Sequence, residues 1–323
     1  MPAPRRTLTG AAALGTLTAL VTLTAGTASA ARAPAGTAGH ASRTAGRPAA
    51  SGIVYAAQTQ TLSANGTSRV SVTCPGGALP VGGGTAIQDP RTGQVLQAGF
   101  YASAPGRITG YQASVLIHGL RRGSTAEVQV QVACVPVPAL VIYGAHTQTL
   151  PAGGTSRASV TCPAGALPVG GGTAIQDPRT EQVLQAGFYA SAPGHMAGYQ
   201  ADVRVHGLRR GSQVKAAVQV ACIPAPATVT YAARSQTLSA NGTRLPSATC
   251  PAGELPVGGG TAIQDPRTEQ VLQAGFRSGA PGSVVGYQAS VRVRDLRHGR
   301  KVKAAVQVAC APAPHPPVHG PLA

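Results

Sequence analysis

Histidines and carboxylates are the residues with which this chain could move protons or hold a metal, and their spacing argues against both. The sequence repeats with a period of 88 residues, so any chemistry built into one unit should recur at matching positions in the others. It does not. His118 and His206 are matched by Arg294, and His146 stands where the other units carry Gln58 and Arg234. The acid common to all units is Asp89, Asp177 and Asp265, in the sequence Gln-Asp-Pro-Arg-Thr. An Asp before Pro ordinarily hydrogen-bonds its own turn. No second carboxylate accompanies it in register for acid–base work, and no Ser–His–Asp set falls within a unit. The expectation is a protein that is not an enzyme and uses no cofactor.

The cysteines point to structure. Cys74, Cys162 and Cys250 are each followed 60 residues later by a partner, Cys134, Cys222 and Cys310. Zinc and redox sites want close spacings such as Cys-x-x-Cys, and none occurs. The simplest pairing is one disulfide inside each unit, worth about 4 kcal/mol in the chain-entropy model. The glycine run Val81–Gly84 and its copies could turn backbone N–H groups toward an anion. It lacks the Gly-Lys-Ser/Thr ending of a phosphate loop and no helix follows, so a bend or bulge at a strand corner is the better reading.

Basic residues carry the more suggestive pattern. The chain has 26 Lys and Arg against 9 Asp and Glu, a formal net charge of +17. Arg121 and Arg122 sit in a Leu-Arg-Arg-Gly-Ser turn that recurs with Arg209 and Arg210 and changes to one with Arg297 and Arg300. Leu116 becomes Arg204 and then Arg292, and Glu127 becomes Lys215 and then Lys303, while their inward neighbours stay apolar. Outward positions moving together toward positive charge suggest an anionic partner. A solvated hairpin tip and the arginine bias of a GC-rich genome would leave a similar trace.

The elements that would position these residues have a period of two. Val70, Val72 and Cys74 alternate with polar residues, as do Val128, Val130, Val132 and Cys134. Tyr111, Ala113, Val115 and Ile117 make a third apolar face, and Leu96, Ala98, Phe100 and Ala102 a fourth. Such alternation marks half-buried strands. Turn sequences such as Asn65-Gly66, Asp89-Pro90 and Ala104-Pro105-Gly106 separate them. The predicted fold is all-β: three tandem antiparallel β-sandwich-like modules over residues 52–138, 139–226 and 227–314, each with one disulfide. A β-trefoil is disfavoured, because each third would be about twice the usual size. Alternating prolines at Val135–Pro138, Ile223–Pro226 and Ala311–Pro314 read as extended spacers, giving three beads at constant spacing.

Residues 1–30 read as a secretory signal: Arg5 and Arg6, an apolar stretch, then Ala28-Ser29-Ala30. General secretion is favoured over a twin-arginine route. Residues 31–51 read as a flexible leader and 315–323 as a tail. No stretch reaches the ~20 apolar residues that span a bilayer. Export predicts a secreted, extracellular protein, released or held to the cell wall by non-covalent contacts.

The order Cys-Pro-x-Gly, then a Gly-Gly-Gly turn, then a last strand ending in Ala-Cys resembles small secreted modules of high-GC Gram-positive bacteria, mostly of unassigned function. The matching residues are Cys74-Pro75, Gly82–Gly84 and Ala133-Cys134, with their copies. The resemblance implies an extracellular β-module.

The functional expectation is trivalent, non-enzymatic binding of an anionic cell-wall or extracellular polymer through Arg121, Arg122, Arg209, Arg210, Arg297 and Arg300, supported by Arg204, Lys215, Arg292 and Lys303. Multivalency raises avidity by roughly 10²–10⁴ without strong single sites. Nucleic acid is not expected as a partner of an exported chain with few aromatics. A sugar-face lectin is disfavoured, since there is no Trp and the outward Tyr101 and Tyr189 become Arg277. The alternatives are an inhibitor or adaptor of another extracellular protein, acting through a loop at Val95–Pro105, and a spacer with no specific ligand.

Overall fold

The computed structural model describes residues 52–313, apart from 90, 105–106, 178–179, 193–194, 210, 266–267, 280–282 and 298, together with the backbone of 43–45. The signal and tail expectations, and most of the leader, lie outside the described residues. A short strand β1 (Arg43–Ala45) precedes the first module. That module comprises β2 (Val54–Leu62), β3 (Gly66–Thr73), β4 (Leu79–Ile87), β5 (Gly93–Ala104), β6 (Arg107–Ile117) and β7 (Ala126–Val135). The second holds β8 (Ile142–Pro151), β9 (Gly154–Thr161), β10 (Ala166–Ile175), β11 (Glu181–Ala192), β12 (His195–Val205) and β13 (Gln213–Pro224). The third holds β14 (Thr230–Leu238), β15 (Gly242–Arg244), β16 (Ser247–Thr249), β17 (Glu254–Ile263), β18 (Glu269–Ser278), β19 (Val284–Val293) and β20 (Val302–Pro312).

Each module is two antiparallel sheets. In the first they run β2-β7-β4 and β3-β6-β5, with β1 added outside β2. The second repeats this as β8-β13-β10 and β9-β12-β11, and the third as β14-β20-β17 with β15 and β16 on one side of β19 and β18 on the other. The third module has an extra break because Pro246 stands where the others carry Val70 and Ala158. Without an N–H it cannot join the ladder, and the neighbouring Leu245 is left 61% exposed.

The predicted alternation sets the core. Val70 and Val72 face Val128, Val130 and Val132 across the sandwich, and all are buried. Cys74 follows β3 in one sheet and Cys134 lies in β7 of the other, so their disulfide ties the two sheets together. Cys162–Cys222 and Cys250–Cys310 do the same in the later modules.

The expectation of three spaced beads is overturned. The modules belong to one compact unit, and the glycine strands are what bring them together. A Cβ on Gly82 would lie 2.2 Å from the Val257 carbonyl oxygen, one on Gly170 2.2 Å from that of Val81, and one on Gly258 2.2 Å from that of Val169. First touches third, second touches first and third touches second, so β4, β10 and β17 meet around a pseudo-threefold axis. Only glycine permits backbones so close. The second glycine of each run has a different neighbour: a Cβ on Gly83 would be 2.3 Å from the Tyr111 ring. A bulge between Pro80 and Gly82 also lies here, as a bend-forming run suggested.

Side chains complete each seam. Tyr111 donates its hydroxyl to the Gly171 carbonyl at 3.1 Å, Tyr199 to Gly259 at 3.1 Å and Tyr287 to Gly83 at 3.0 Å. Burial holds all three phenols well above their ordinary pKa, so they remain neutral donors. Phe100 meets Tyr143 edge-on at 5.5 Å, Phe188 meets Tyr231 at 5.6 Å and Phe276 meets Tyr55 at 5.5 Å. Every phenylalanine of the chain therefore packs across a seam. The prolines at the joints connect modules already in contact.

Candidate functional site

Where three modules surround an axis, equivalent residues converge on it. Thr85, Thr173 and Thr261 line one small cavity of about 70 Å³ with Tyr111, Tyr199 and Tyr287. Leu96 and Leu184 separate it from a wider basin of about 620 Å³ that opens at one end of the axis. The inner cavity has room for a few water-sized molecules. The outer basin is large enough for a charged group of a polymer.

The basin walls are the C-terminal ends of β6, β12 and β19. Leu116, Arg204 and Arg292 occupy equivalent positions on them, and His118, His206 and Arg294 follow two residues later on the same face. Cationic character therefore increases from the first module to the third. Burial, followed by repulsion from Arg294, pushes the Arg292 guanidinium below its ordinary pKa, and the charge of Asp89 opposes this.

Two carboxylates in the wall are structural. Glu181 is buried and accepts hydrogen bonds from the backbone N–H groups of Gln176 at 3.1 Å and Asp177 at 3.0 Å. Glu269 accepts from Asp265 N–H at 2.7 Å. Burial raises the pKa of both above the ordinary carboxylate value, although these bonds pull it down. They pin the Gln-Asp-Pro loops against the basin. Gly93 replaces them in the first module, where Asp89 holds its own turn by accepting from Arg91 N–H at 2.9 Å. That is the turn role expected for this Asp.

The sequence-predicted residues divide by location. Arg204 and Arg292 line the basin. Arg121, Arg122, Arg209 and Arg297 are exposed on loops that leave the basin rim just after His118, His206 and Arg294. Arg300 lies 3.6 Å from the Asp265 carboxylate. Arg210 lies outside the described residues. Lys215 and Lys303 are exposed on β13 and β20, in the other sheet of their modules. They lie on a different sheet from Arg204 and Arg292, so the outward positions read as one basic face are carried by two sheets.

His118, His206 and Arg294 were missed as site residues because their identity does not recur. Their spacing of two from Leu116, Arg204 and Arg292 on a strand was the available signal. A second cluster, of about 570 Å³, was also missed: Arg91 of the first module beside Arg244, Arg292 and Arg294 of the third.

The loop expected at Val95–Pro105 is corrected. Residues 93–104 form β5, whose Gly99 lies against Thr173 of the next module and whose Phe100 is 4% exposed. A bulge at Leu96 shifts the alternation there and turns that leucine toward the axis. The part around Gly99 and Phe100 is packed into a seam and is no free loop, whereas Ala102 and Ser103 are exposed and Pro105 lies outside the described residues.

Among the described residues no group of three or more His, Cys, Asp or Glu could hold a metal ion. No helix among them is long and apolar enough to cross a membrane. No protein-family model matches the chain, and no curated protein matches it significantly.

Proposed function

We propose that this is an exported, non-enzymatic binding protein that engages an anionic polymer of the cell wall or extracellular space at the basin end of its axis. One observation carries the reading: the loops bearing Arg121, Arg122, Arg209 and Arg297 leave the rim of a basin already lined by Arg204, Arg292 and Arg294. Packing around the axis directs the basic groups of three modules to one end. A flexible polymer can then touch several of them without the entropic cost of ordering separate domains. The three disulfides suit an oxidising compartment, and the sequence of residues 1–30 has the pattern of an export signal.

Binding of the mature protein to purified cell wall across a salt series tests this reading. Affinity is expected to fall steeply as salt screens exposed charges. The variant Arg121→Glu/Arg209→Glu/Arg297→Glu is expected to lose both binding and salt dependence. Absence of binding at low salt, or binding that survives charge reversal, rejects it.

A further inference from the structure

The seam between the third and first modules differs from the other two in charge. Arg91, from the first module's Asp-Pro-Arg turn, lines a cleft of about 570 Å³ with Arg244, Arg292 and Arg294 of the third. At the position of Arg244 the earlier modules carry Ser68 and Ser156, and at that of Arg294 they carry His118 and His206. The position of Arg292 is Leu116 in the first module and Arg204 in the second. The full quartet therefore occurs once in the chain.

We propose that this cleft is a single anion-binding site for a multiply charged phosphate group, presented by a free oligophosphate or by a phosphate-linked polymer. The proposal rests on the polyanion reading above and adds one phosphate site to the exposed rim arginines that hold the polymer. Like charges held at one place repel, and two carboxylates offset part of that repulsion. Asp89 interacts with Arg292, and Asp295 stands beside Arg292 and Arg294 in the basin wall. The described residues lining the cleft include four arginines and no carboxylate, so positive charge is in excess there for a ligand to neutralise. Arginine suits this ligand: its planar fork donates two parallel hydrogen bonds to phosphate oxygens, and it is less strongly hydrated than lysine. Arg244 is held in part by its own strand, donating from Nη1 to the Thr243 carbonyl at 3.2 Å. Burial and the proximity of Arg294 lower the pKa of Arg292, the direction expected of a cation enclosed with its like.

Calorimetric titration of the full mature chain with sodium tripolyphosphate tests the proposal. One site per chain is expected. Arg244→Ser/Arg294→His restores the first module's residues at exposed positions and should weaken binding by about tenfold per guanidinium removed, the scale of one charge-assisted hydrogen bond. Arg121→Glu/Arg209→Glu/Arg297→Glu should leave this one-site binding in place even where it abolishes binding to cell wall, so the two readings fail separately. Three equivalent sites per chain, or unchanged affinity in Arg244→Ser/Arg294→His with native circular dichroism, overturns the cleft. Poly(glycerol phosphate) supplies the second arm. Displacement of tripolyphosphate by it supports the site and identifies polymer as the source, and one-site binding without displacement supports the site with free oligophosphate as its ligand.

Discussion

The hydroxyl of Tyr287 donates a hydrogen bond to the carbonyl of Gly83 at 3.0 Å, joining the last module to the first across 204 residues of sequence. Its equivalents, Tyr111 to Gly171 and Tyr199 to Gly259, join modules adjacent in the chain. The three bonds form a cycle, and in this one no linker assists. Tyr287→Phe is expected to cost about 1 kcal/mol, lowering the melting temperature by a few degrees. Gly171→Ala should cost about 3 kcal/mol or more, because its Cβ would lie 2.2 Å from the Tyr199 ring. Denaturant unfolding measures both, and a neutral Gly171→Ala would contradict the packing described.

The shared seams predict one unfolding transition. Scanning calorimetry of the mature chain should give a single peak whose van't Hoff and calorimetric enthalpies agree. Cys162→Ala/Cys222→Ala removes one disulfide, worth about 4 kcal/mol, and should shift the whole peak. A separate early transition of one third of the enthalpy would indicate independent modules.

An excised module loses the partners of its glycine strand and of its seam phenylalanine. Residues 52–138 alone would expose Phe100, which Tyr143 covers in the full chain. Three copies can restore every seam, so sedimentation of this fragment should show a trimer. A folded monomer at micromolar concentration would be the contrary result.

The buried carboxylates predict a pH effect of definite sign. Glu181 and Glu269 have folded-state pKa values raised chiefly by burial. Between the ordinary and the raised value the folded state binds more protons than the unfolded one, so their contribution is present at lower pH and is lost as pH rises through that window. Glu181→Gln/Glu269→Gln removes this dependence. Its stability deficit relative to wild type should be largest on the acidic side and shrink as pH rises. Parallel melting curves across the carboxylate range would contradict the assignment.

Asp295 occupies a left-handed backbone conformation, with φ of 54°, where the earlier modules have Gly119 and Gly207 at φ of 71°. Asp295→Gly should stabilise the fold by about 0.5–1 kcal/mol. It should also tighten tripolyphosphate binding by removing a carboxylate from beside Arg292 and Arg294. Weaker binding in this variant would count against the seam site.

Much of the module was legible from residue order. Val70, Val72 and Cys74 on one strand, and Val128 to Cys134 on another, could face the same core only in two sheets tied by a disulfide. The assembly was less legible. Gly82 reads as a bend, and nothing near it in sequence shows that its neighbour is Val257. Phe100 looked like core within its own module, whereas one of its two ring contacts is with Tyr143 of the next. The site was divided for a related reason. Arg204 and Lys215 both point outward, but they lie on strands of different sheets, and alternation alone does not say which outward faces adjoin. His118, His206 and Arg294 differ in identity and share only their position and polarity.

The closure of β4, β10 and β17 on one another limits the chain in a way an open array is not limited. In a solenoid each unit offers an unused edge, so copies can be added without bound. Here the third unit returns to the first, and every glycine strand already has its two neighbours. A fourth copy would find no glycine strand in this ring without its neighbours. Three copies therefore complete this ring, and any further module would have to pack outside it.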